Sequence, residues 1–115
     1  MTTTIYKIAH RAAWDEACVA GRFTGAPVDL KDGYIHFSTA AQVAETAARH
    51  FAGESDLVLV AIDAEALGTA LKWEPSRGGL LFPHLYAALD MAAVKWTRSL
   101  PLDADGRHRF PPLEP

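Results

Sequence analysis

Apolar residues alternate or cluster along the chain with periods that mark out its elements. Ile5 to Ala9 reads as a first strand, with Tyr6 and Ile8 on one face. Trp14, Ala17, Cys18 and Gly21 follow the i, i+3, i+4, i+7 spacing of an amphipathic helix, which puts Cys18 on its apolar face. Asp15 and Glu16 suit its first turn, and Gly21 is placed to stop it. Residues 22–33 read as loop, closed by the turn dipeptide Asp32-Gly33. Tyr34 to Ser38 alternates as a half-buried strand in which Tyr34, His36 and Ser38 share a face. Thr39 to Gln42 fits a capping box, followed by the helical stripe Val43, Ala47, Phe51 and a stop at Gly53.

The run Leu57 to Ile62 is continuously apolar and β-branched, which predicts a central strand buried on both faces. Asp63 to Gly68 is a turn or a single helical turn. Leu71 to Glu74 is a short strand cut by Pro75, and Ser76 to Gly79 is a loop. Leu80 to Tyr86 is strand-like, with Pro83 assigning it to an edge or a bulge. Ala87 to Ala93 stays open between helix and strand, and Val94 to Thr97 alternates as a last strand. The boundaries fall at 1–100 for one α+β domain and 101–115 for a tail holding four of the seven prolines.

Composition narrows the function classes. Half of the 115 residues are hydrophobic, enough for one core without staples. Eleven basic against 14 acidic residues leave a net charge of −3, which argues against duplex nucleic acid as a partner. A small nucleotide needs only one or two well-placed donors. The single cysteine, Cys18, excludes an internal disulfide. No leader-like N-terminus or membrane-length apolar run is visible, so the expected location is cytoplasmic, with no membrane partner.

Candidate chemistry sits at strand ends beside loops. His10 closes the first strand, His36 lies mid-strand with Ser38 on its face, Glu74 ends a strand, and His84 follows Pro83 with Tyr86 on its face. Trp73 or Tyr86 could stack on an aromatic ligand, and Arg77 is the cation nearest these residues. His50 and His108 suit a helix terminus and the tail. No G-x-G-x-x-G, P-loop, H-E-x-x-H or C-x-x-C is present. His10, His36, His84 and Glu74 could converge on zinc, but their spacing is not that of a metal motif, and no metal is expected. The same histidines could instead brace the sheet of a non-catalytic binding module.

Four strings carry a family resemblance: Ile5-Tyr6-Lys7-Ile8-Ala9-His10 followed by Trp14; Asp32-Gly33-Tyr34-Ile35-His36-Phe37-Ser38; Leu71-Lys72-Trp73-Glu74; and Phe82-Pro83-His84-Leu85-Tyr86. Their order resembles family 952 of the domains of unknown function, short bacterial and plant proteins similar in fold to the ADP-ribosyltransferase superfamily and its RNA 2′-phosphotransferases. The resemblance implies a split, mainly antiparallel sheet flanked by small helices, with a nucleotide cleft between its halves. It implies NAD as the candidate cofactor and transfer or cleavage of ADP-ribose, or 2′-phosphotransfer, as the activity. By position His10 and His36 match the two catalytic histidines, and Ser38 matches a hydroxyl position. Trp73, Glu74, Arg77, His84 and Tyr86 complete the expected ligand-binding set. His10, His36 and Ser38 are therefore expected to line one concave pocket. The chain departs from active transferases in lacking a clear late-strand glutamate and a basic phosphate clamp.

Overall fold

The computed structural model describes residues 3–115, so the first two residues of the expected 1–100 unit lie outside the described part. Its architecture is α+β, built on antiparallel strand pairs. A four-stranded sheet runs in the order β4 (Ser38–Thr39), β1 (Thr4–His10), β5 (Leu57–Asp63), β9 (Val94–Leu100). A three-stranded sheet runs β3 (Ile35–His36), β7 (Leu81–Leu85), β6 (Leu71–Pro75), and β2 (Arg22–Phe23) pairs with β8 (Leu89–Asp90). Helices α1 (Arg11–Ala20), α2 (Pro27–Asp32) and α3 (Val43–His50) connect them.

The apolar run behaves as its composition requires. β5 lies between β1 and β9, pairing Ile5 with Ile62 and Val60 with Thr97, and its first six residues are buried. Its alternate side chains feed two cores. Val58, Val60 and Ile62 pack with Ile5, Ile35, Phe37 and Leu85 toward the smaller sheet. Leu57, Leu59 and Ala61 pack with Tyr6, Ile8, Val43 and Ala47 under α3.

Several expectations shift. The strand read over 34–38 divides, giving β3 to one sheet and β4 to the other, with the Phe37 amide donating to the Pro83 carbonyl at the junction. Residues 22–33 are not loop. Pro27 occupies the first turn of α2, Asp29 accepts from the Ala26 amide at 2.8 Å, and Gly33 closes the helix at φ 86°. α1 begins at Arg11, so Asp15 and Glu16 fall beyond its first turn. Its buried face is centred on Trp14 and Ala17, which leaves Cys18 exposed rather than in the core. Gln42 does reach back to the Thr39 amide at 3.0 Å, but the helix proper starts at Val43.

β7 is central despite Pro83. The Pro83 carbonyl points toward Phe37, so its missing N–H falls on the same side, just past the end of β3, where no ladder donor is required. The open stretch 87–93 becomes β8 and a single 3-10 turn, Met91–Ala93. The tail has no strand beyond a Leu102–His108 bridge, yet it packs back on the sheet. Phe110 and Leu113 cover the α3-side core, the Tyr6 hydroxyl donates to the Glu114 carbonyl at 2.7 Å, and the Thr4 amide donates to the Pro115 carbonyl. No described helix is long and apolar enough to cross a membrane.

Candidate functional site

The outer face of the small sheet gathers the polar and aromatic residues. Register pairs His36 with His84 across β3 and β7, and Lys72 with His84 across β7 and β6. Paired residues share a face, and so do residues two apart on one strand. His36, His84, Lys72, Glu74 and Phe82 therefore stand together, flanked by Tyr34 and Tyr86. The His36 and His84 ring centroids are 5.5 Å apart, edge to face. The Tyr34 ring stacks on His84 at 4.2 Å and lies 5.2 Å from that of Tyr86.

Carboxylates anchor both imidazoles. The Nδ1 of His36 is 2.6 Å from Asp29 Oδ1, and its Nε2 is 2.9 Å from Asp32 Oδ2. An ionised carboxylate only accepts, so Nδ1 of His36 is the donor to Asp29, and its Nε2 edge faces the Asp32 carboxylate. The Nδ1 of His84 lies 2.8 Å from Glu74 Oε1, which also accepts from the Tyr86 hydroxyl at 2.7 Å. The same reasoning makes Nδ1 of His84 the donor. Its Nε2, which has no partner among the described residues, is then a lone-pair acceptor when the ring is neutral.

Beneath this face Asp29 is almost fully buried and carries four sets of contacts. It faces Lys7 Nζ through both oxygens at 3.2 and 3.0 Å and accepts from the amides of Ala26 and His36 as well as the His36 ring. Lys7, equally buried, spends its remaining proton on the His36 carbonyl at 3.0 Å. Burial pushes the Asp29 carboxyl up, but the His36 hydrogen bond, the Lys7 charge and the Ala26 amide outweigh it and bring it down to about 2. Burial lowers Lys7 against the pull of Asp29. Hydrogen bonds from Tyr86 and His84 lower Glu74, and Glu74 in turn pushes the Tyr86 phenol up to about 12. Tyr34 is raised by burial and by the charges of Asp32 and Glu74. Gly25 completes the support, because a Cβ there would stand 2.9 Å from that of Asp29.

Tyr34 and Tyr86 also line a groove of about 280 Å³ with Asp29, Leu30, Gly33 and Ala87. The ring cluster and the groove thus share two aromatic walls.

Not every expected residue joins this site. His10 alternates with Tyr6 and Ile8, on the α3 side of β1, and pairs with Glu54 at 2.7 Å against the Phe51 ring. Lys7, on the opposite face, is the β1 residue that reaches His36. The pocket expected from His10, His36 and Ser38 is therefore not formed. Ser38 is buried on the Thr46 hydroxyl at 2.8 Å. Arg77 lies over the Phe82 ring, bound to Glu45 at 2.9 Å and Thr46 at 3.1 Å. Trp73 alternates to the other face of β6 with Pro83. No group of three or more His, Cys, Asp or Glu side chains among the described residues is arranged to hold a metal. Tyr34 shares the His36 face in the sequence pattern, but Lys7, Asp29 and Asp32 do not stand out there as site residues. The one signal for the two acids is the Asp29-x-x-Asp32 spacing after Pro27, which puts both on one side of a short helix.

A family model described as protein of unknown function (DUF952) matches residues 8–97. The crystal structure of protein CC0527 from Caulobacter crescentus aligns with a TM-score of 0.90 at 54% identity, over 93% of this chain and 94% of that one. The solution NMR structure of CC0527 aligns with a TM-score of 0.82 at 55% identity, over 90% of each chain. No curated protein matches the chain.

Proposed function

For this chain, which belongs to the DUF952 family of proteins of unknown function, we propose that the outer face of the small sheet binds one nucleoside half of NAD or a related nucleotide and serves chemistry at its ribosyl carbon. The observation that carries this reading is the Glu74–His84 pair under two tyrosine rings. The pair holds an oriented acceptor at His84 Nε2, on a residue only 3% exposed beneath Tyr34, and a carboxylate held ionised by two hydrogen bonds. A vicinal diol needs acceptors of that kind, and the cationic character that develops at a breaking ribosyl bond is stabilised by a nearby carboxylate. The tyrosines supply the stacking surface for the ring.

Size supports one half rather than the whole dinucleotide. The groove beside the pair, walled by Tyr34 and Tyr86 but not by Glu74 or His84, is about 280 Å³, just under the ~300–1,000 Å³ usual for ligand pockets. In this reading His36 is a fixed brace and His84 the hydrogen-bond acceptor, with His10 outside the site. The choice of ligand follows from the sequence motifs' resemblance to ADP-ribosyltransferases.

The test is an NMR titration of wild type and Glu74→Gln with NAD and ADP-ribose, alongside thermal unfolding. We expect wild-type amide shifts centred on Tyr34, His84 and Tyr86, and affinity at least about tenfold weaker in a variant that unfolds at the same temperature. Absence of shifts at millimolar ligand would sink the reading.

A further inference from the structure

Resting on that reading, we infer that Lys72 takes the phosphate next to the bound ribose, so the site's ligands are nucleotides rather than free nucleosides. The sheet itself places the residue. Lys72 is the one lysine or arginine within β3, β6 and β7. Its register partner is His84, and paired β-carbons lie about 4.5–5.5 Å apart on one face. Glu74, two residues on, shares that face, and its carboxyl is lowered in part by the Lys72 charge.

The competing cations are spent. Lys7 is buried and donates all three protons to Asp29 and His36. Arg77, the cation the sequence offered, is held by Glu45 and Thr46 above Phe82. Lys72 is exposed and has no ion-pair partner among the described residues. β6 is also the edge of its sheet, so a ligand running outward from His84 over Lys72 meets no further strand. An ammonium on a flexible stem is suited to a phosphate whose position one or two rotatable bonds away from the ribose is not fixed.

The experiment compares nicotinamide riboside with its 5′-phosphate by calorimetry or NMR, on wild type, Lys72→Gln and Lys72→Arg. In wild type the phosphate should tighten binding about tenfold, and the gain should shrink as salt rises. Lys72→Gln should erase the gain while riboside affinity moves less than about twofold, and Lys72→Arg should restore most of it. A gain that survives in Lys72→Gln overturns the assignment. Equal binding of riboside and phosphate by wild type overturns it too, while leaving the proposed function standing. Binding of neither ligand overturns both.

Discussion

Asp29→Asn is expected to cost about 3–5 kcal/mol, because it leaves the buried Lys7 ammonium without a counter-charge. Asparagine keeps the shape and one acceptor, so the loss reports charge rather than volume. Its amide NH₂ would also face a donor, either Lys7 or the His36 ring. Denaturant unfolding measures the effect, and Lys7→Met in the same background should recover much of it. A loss under about 1 kcal/mol, or a double variant no better than the single, would show that the pair is not coupled as described. Acid should act on the same group. The folded carboxyl titrates at about 2, below its ordinary 3.8, so its contribution is fully present above about pH 4 and disappears as pH falls through about 2. The size is on the order of 2 kcal/mol, smaller than the substitution because protonation leaves the hydrogen-bonding shape intact.

The second large effect lies at the C-terminus. Ending the chain after Arg109 should cost about 2–4 kcal/mol. It removes the half-buried Phe110 and Leu113 side chains and leaves the Tyr6 hydroxyl without Glu114. Tyr6→Phe in the full chain should cost only about 1 kcal/mol, since the apolar cover stays. Urea unfolding of the three proteins separates the contributions. A truncated chain within about 0.5 kcal/mol of the full one would mean the docked tail adds nothing to stability.

The elements that can be read from the sequence are those where one physical rule dominates. β5 has no polar residue before Asp63, so its central place follows from solvation alone. Alternation pairs Tyr34 with His36 and His84 with Tyr86 on the faces of their own strands, but that these faces and Glu74 lie side by side follows only from the strand register. The support beneath them inverts the hydropathy rule. In α2 the apolar Val28 and Leu30 are 55% and 67% exposed while Asp29 between them is 2% exposed. A six-residue helix has no periodicity strong enough to reveal that phase. Lys7 misleads in the same way, because β1 alternates like a strand with one wet face but is covered by packing on both. The family resemblance pairs His10 with His36 by position, whereas its odd spacing from Lys7 along β1 puts it on the other side of the sheet.

The position of β1 also bears on the order in which the chain can fold. Its ladder partners are β4 and β5, and its last contacts come from a tail 108 residues away from Tyr6. A strand whose neighbours all arrive later cannot be satisfied by local hairpin formation. The β6–β7 hairpin, closed by a five-residue-scale turn through Ser76 to Leu80, is local by contrast and can form first. The Glu74–His84 pair would then be assembled early on this hairpin, with His36 added later from β3, and the entropy of closing the long loops would set the rate. That places folding toward the slow, milliseconds-to-seconds end typical of non-local β topologies.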